Sequence, residues 1–170
     1  MRRKLVWFVL SAGMMVTALF HASPAMATPP DKFTSTTIAK GQFAEFQAFN
    51  QFISPVNGGD IWLSRQKTKG LSDGYVLNNV WQPGGTTGWH THPGHTLVIV
   101  TAGAVTAYQG DDPTCTGTVY TAGMSFVEGG VHVHIVRNEG TVEAQSVASR
   151  LIPAGQPGRI DAPDPGNCHF

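Results

Sequence analysis

Beyond residue 27 of this 170-residue chain there is no basic run and no alternation of basic with aromatic residues, so nucleic-acid binding has no electrostatic footing. Cysteine is nearly absent: Cys115 and Cys168 are the only two, and nothing like a C-x-x-C spacing exists to make a redox-active pair. Long apolar runs are missing as well. The longest, Leu5 to Phe20, is broken by Ser11, Gly13 and Thr17 and falls short of the roughly twenty residues that span a bilayer. Sustained helical periodicity is also lacking, which leaves short strands and turns as the material of the fold.

What the amino terminus does contain is a basic start, Met1-Arg2-Arg3-Lys4, then that short apolar run, then small residues at Ala25 and Ala27. This pattern predicts a secretory signal peptide over residues 1–27, cleaved after Ala27, and an exported protein, periplasmic or secreted. Arg2-Arg3 leaves both twin-arginine and general secretory export open. No cysteine lies near the cleavage point, so neither a lipid nor a membrane anchor is expected after processing. The remainder, 28–170, suits one domain. It loses three basic residues and no acids, which leaves eight Lys plus Arg against eleven Asp plus Glu, a mildly acidic chain. In an exported protein two cysteines most simply form one disulfide, here Cys115–Cys168. That bridge would tether a tail, Pro153 to Phe170, that is rich in Pro and Gly and has no periodicity of its own.

Along the chain, Thr34 to Ile38 reads as a strand, while Phe43, Phe46 and Phe49 recur at a helical interval and predict a short helix or irregular segment after it. Ile61 to Lys69 alternates in part, as on a strand with one wet face. Gly70 to Gly74 turns the chain, and Tyr75 to Trp81 reads as a buried strand. Further strands are expected at Thr96–Val100, 104–108, 119–120, 125–127 and 141–152, separated by Gly and Pro turns. Asp111 and Asp112 read as a solvated turn rather than a calcium loop.

The densest chemistry lies in two windows. One is Gly88-Trp89-His90-Thr91-His92-Pro93-Gly94-His95, and the other is Gly130-Val131-His132-Val133-His134. Both adjoin strands, where residues two apart share a face, so His90 and His92 look one way, as do His132 and His134. Trp89 then points away from that face and packs in a core. Imidazoles converging from separate segments suit zinc, copper, nickel or iron.

Gly84 with His90-x-His92 and Gly103 resembles the first cupin motif, and Gly123 through His134-x-x-x-Asn138 resembles the second, so the core motifs span 84–138. The resemblance implies an all-β, cupin-type jelly-roll β-barrel. It implies that His90, His92 and His134 bind a divalent transition metal (Fe, Mn, Zn, Ni or Cu) and that two copies pair through sheet edges as a homodimer. The family's glutamate falls at Thr96, which has no anionic oxygen. A three-histidine centre would keep the full charge of its ion and favour an anionic or enolisable substrate. His95 and His132 are candidates for a fourth ligand or for groups orienting the ligands. Glu128 is the nearest carboxylate in sequence: a general base if it faces the cavity, otherwise a surface turn residue. Arg137 reads as a surface charge.

Two functional readings follow. The first is an exported metal-dependent cupin enzyme, oxygenase-like or lyase-like, acting on a small molecule. The alternative is a non-catalytic module that binds a small, sugar-like ligand or only metal, including a barrel stabilised by structural zinc.

Overall fold

Period-two alternation with Gly and Pro at the breaks makes strands of nearly every segment. The computed structural model describes residues 26–53, 59 and 61–170, so the leader expected over 1–27 lies outside the described residues except for Met26 and Ala27. The strands are β1 (Asp31–Phe43), β2 (Gln47–Ile53), β3 (Ile61–Lys67), β4 (Ser72–Thr86), β5 (His90–Thr91) and β6 (Thr96–Ala102). They continue as β7 (Ala104–Gln109), β8 (Thr118–Thr121), β9 (Ser125–Glu128), β10 (His134–Arg137), β11 (Ala144–Pro153) and β12 (Ile160–Asp161). No helix occurs among the described residues.

The helix or irregular segment expected around Phe43 to Phe49 is not formed. Phe43 ends β1 and Phe49 lies in β2, so the three-residue recurrence of phenylalanine straddles a break between strands. Pairing decides the matter: β1 runs antiparallel along β4, and β2 pairs with β3 from Gln47↔Lys67 to Ile53↔Ile61. Those ladders satisfy backbone groups that a short helix would leave open at its ends.

Ten strands form one antiparallel sheet that curls into a jelly-roll barrel, with neighbours β12-β5-β10-β4-β11-β6-β9; β1 joins at β4, and β7 with β8 at β10. β4 is the spine. It carries β1 on one edge and β11 on the other, and its last residue, Thr86, reaches Arg137 of β10. Alternate residues of β4, β6 and β11 turn inward. Trp81, Val100, Val105, Val136 and Ala144 make one apolar cluster, and Leu77, Val98 and Ala148 another. At about 25 cal/mol per Å² of apolar surface, burying each of these larger side chains contributes about 1.5–3 kcal/mol.

A third cluster joins Trp89, Ile135, Ala162 and Cys168, so the tail packs on the barrel end nearest the histidines. Trp89 is fully buried there, as its expected outward orientation requires. The Cys115–Cys168 disulfide is formed, with Cα atoms 5.2 Å apart. Asn167 Nδ2 donates to the carbonyls of Gln109 and Asp112. Phe170 lies against Tyr108 and covers the Arg137 guanidinium at 4.0 Å, so Arg137 is half-buried rather than a free surface charge.

The β2–β3 hairpin stands apart from this barrel. Its base is tied by Phe46 N–H donating to Thr68 Oγ1 at 3.0 Å and by Gly70 N–H donating to Glu45 at 2.9 Å.

Candidate metal centre

His90 and His134 are directly opposed in the β5–β10 ladder and therefore point to the same face. His92, two residues on, has its N–H bonded to the Gly130 carbonyl at 2.7 Å and joins them. The three ring centroids lie 4.4–5.1 Å apart, and all three residues are buried. Each Nδ1 is 2.8 Å from a backbone carbonyl: Gly88 for His90, Gly158 for His92 and His132 for His134. A carbonyl only accepts, so each Nδ1 carries the proton, and each Nε2 presents its lone pair to the centre.

Gly88 shows how the chain is built around this arrangement. Its φ of +67° suits glycine, and a Cβ there would lie 2.1 Å from the Thr28 carbonyl oxygen. Only glycine lets the turn approach Thr28 while aiming its own carbonyl at His90.

The fourth member is Glu128. The expectation of a carboxylate-free centre fails for a topological reason: Thr96, where the family's glutamate would fall, is paired across the β6–β9 ladder with Glu128. Opposed residues share a face, so the carboxylate arrives at the same inward position from the neighbouring strand. It is no surface turn residue. Its Oε2 lies 3.1 Å from His92 Nε2 and its Oε1 3.7 Å from His134 Nε2. Ligand atoms of His90, His92, Glu128 and His134 all fall within 4.8 Å of one another.

His95 and His132, the other candidates for a fourth ligand, stay outside. His95 is exposed beyond the turn at Pro93-Gly94. His132 faces solvent, 3.9 Å from Asp111. The alternation that put His132 on the face of His134 fails because β10 begins only at His134, and the bend before it turns His132 away. Asp112 accepts from the N–H groups of Thr114 and Thr116, closing the expected turn.

The electrostatics suit a cation. Burial holds the His90 imidazolium down to about 2, helped by the charges of His134 and Arg159. His134 is lowered chiefly by the same loss of water. Burial works to raise Glu128, but the bond to His92 and the neighbouring imidazoles outweigh it and keep the carboxyl down at about 2. Neutral His90 and His134 beside an ionised carboxylate are the protonation states that metal ligation requires. With His92 Nδ1 donating to Gly158, both atoms of the 3.1 Å contact offer lone pairs, so a proton or a cation has to lie between them. His134 Nε2 is buried without a hydrogen-bond partner among the described residues. A cation at the centre would satisfy all these acceptors together.

Residues 80–148 match the family model described as the cupin domain. These residues carry a cupin domain. A comparison with curated protein sequences finds no match. Among solved structures, this cupin is similar to an oxalate oxidase at 23% identity and a TM-score of 0.41, over 48% of this chain and 46% of that one. It is also similar to peruvianin-I, a cysteine peptidase from Thevetia peruviana latex, at 27% identity and a TM-score of 0.44, over 53% and 56%. A Klebsiella pneumoniae protein with a double-stranded β-helix domain gives 24% and 0.44, over 52% and 74%. The chain thus spans about half the length of the first two.

Sequence reasoning missed what the tail does at the centre. Gly158 supplies the carbonyl that orients His92, and Arg150 donates to that carbonyl and, through Nε at 3.0 Å, to Thr96 Oγ1. Nothing periodic marks the tail, so no local signal pointed to Gly158, and none singled out Arg150. A cavity of about 560 Å³ lies elsewhere, between β1, the hairpin base and β4, and His95 is the histidine on its wall.

Proposed function

We propose that this cupin holds one divalent transition metal on His90, His92, Glu128 and His134 and acts on a small molecule bound beside it. The observation that carries the reading is the convergence of three Nε2 atoms, aimed inward by Nδ1–carbonyl bonds, on one ionised carboxylate. When bound, a metal of this kind polarises a coordinated oxygen of substrate or water. The chain's own part is positional. The carbonyls of Gly88, Gly158 and His132 lock the rings, and Glu128 lowers the net charge of the site by one relative to a three-histidine centre. The Cys115–Cys168 bridge supports an exported protein, since disulfides persist in oxidising compartments.

The test is the metal content of the purified mature protein beside a His90→Ala/His134→Ala double variant of confirmed fold. The reading expects stoichiometric metal in the first and none in the second. No metal in the native protein, even after reconstitution with iron, manganese, zinc, nickel and copper, overturns it.

One observation favours a second reading: four protein donors can complete tetrahedral zinc, the pattern of a structural site. Exchange of a metal-bound water, read by relaxation of solvent protons on the manganese-loaded protein, separates the two. Enzymatic use requires that exchange; a closed structural site lacks it.

A further inference from the structure

The tail does more than cover the metal centre. β12 pairs with β5 as Ile160↔Thr91 and Asp161↔His90, which brings the preceding residues, Gly158 and Arg159, past His92. Gly158 confirms the placement by accepting from His92 Nδ1. Arg159 is half-buried, and its Nε donates to Asp161 Oδ1 at 2.5 Å. Its Nη2 is buried and has no partner among the described residues. The guanidinium charge is felt at His90, at His134 and at Arg150.

A buried donor without an acceptor costs free energy, and a native protein that retains one usually has a use for it. Here the neighbours limit that use. Arg150 is spent on Thr96 Oγ1 and the Gly158 carbonyl, and Glu128 faces the histidines. Asp161 takes only Nε. With a divalent ion on the cluster, two guanidiniums and the ion face two carboxylates, so positive charge remains in excess beside an unused N–H. A guanidinium edge matches a carboxylate in shape and charge.

We infer that Arg159 binds a carboxylate of the substrate through its free Nη2 edge and so selects small carboxylic acids, with a second oxygen of the same molecule turned toward the histidine–glutamate cluster. This rests on the metal reading for that second contact, but the arginine contact is separable from it. Asp161 acts as a positioning residue, holding the guanidinium through Nε.

Calorimetric titration of malonate, with uncharged malonamide as the control, tests the inference on metal-loaded and chelator-treated protein, with metal content measured in every sample. Wild type binds malonate and not malonamide. Arg159→Ala weakens malonate about tenfold to a hundredfold at unchanged metal content, as expected for losing a charge-assisted bond. Arg159→Lys, which keeps the charge and the packing but not the planar fork, falls between the two and guards against a folding artefact. Equal malonate affinity in wild type and Arg159→Ala overturns the inference, as does equal binding of malonamide or no binding of malonate at all. If the protein never holds metal yet malonate binding still depends on Arg159, the metal reading falls and the arginine site stands. If metal is bound and Arg159→Ala changes nothing, the reverse holds.

Discussion

The histidine end of the barrel and the β2–β3 hairpin are both antiparallel strands, yet they distribute polarity in opposite ways. At the barrel end His90, His92, Thr96, His134 and Asn138 expose 3% of their surface or less. On the hairpin Phe52, Ile61 and Trp62 each expose about 60%. The difference lies in closure. Barrel strands enclose one face completely, so even polar side chains are buried there if their alternation places them inward, and each must then find a partner. Asn138 does so fully, donating to the carbonyls of Trp81 and Val142 and accepting from Gly140. A lone two-stranded ribbon has no second layer, and hydropathy alone cannot bury its residues. Polar groups enclosed at a cost therefore mark the functional region better than apolar ones do.

The sharpest way to break this comparison is to move the carboxylate. Glu128→Ala should reduce metal affinity by more than the about 10–100-fold typical of losing an outer partner of a ligand. Adding Thr96→Glu should restore part of it, because the two positions are opposed on one face. Metal titration reads both, and failure of the second substitution to recover any affinity would contradict the shared-face account.

Next in size is the tail. Cys115→Ser/Cys168→Ser opens a loop with a sequence separation of 53. The chain-entropy model gives about 4 kcal/mol for closing such a loop, on the order of 10 °C in Tm for a domain of this size. Calorimetry checks it, and an unchanged Tm would mean that packing of Phe170 and Ala162 already orders the tail.

The hairpin should matter far less to the barrel. Phe52→Ser/Trp62→Ser is expected to change stability by no more than about 0.5 kcal/mol, the usual range for exposed positions, and to leave metal content as it was. A larger loss would show that the hairpin is covered in solution.

Smallest is the pH dependence of the turn after β7. Bonds from the Thr114 hydroxyl and from the N–H groups of Thr114 and Thr116 hold the Asp112 carboxyl down to about 2. A depressed carboxyl contributes stability above its ordinary value near 3.8, and that stability is lost as pH falls toward 2. Wild type should therefore exceed Asp112→Asn in Tm slightly at pH 6, with the gap closing between pH 4 and 2. A gap that persists at pH 2 would sink this assignment.

Much of the barrel was legible beforehand. Alternation marked the strands, the two histidine windows marked the cluster, and two cysteines in a chain expected to be exported marked the bridge. The carboxylate was misjudged because strand register is a long-range property: nothing near Thr96 says that Glu128 lies opposite. The hairpin phenylalanines looked helical because recurrence at three residues does not reveal a strand break between them. His132 was grouped with His134 because alternation was extended beyond the first residue of β10. Gly158 and Arg159 sit in a segment whose path is set by the disulfide and by packing on Trp89, not by local pattern.

The most direct test is a crystal of the metal-loaded protein measured at the absorption edge of the metal. The account predicts one anomalous peak within bonding distance of the Nε2 atoms of His90, His92 and His134 and of a Glu128 oxygen. No peak at that centre, or a peak held by His95 or His132 instead, would contradict it.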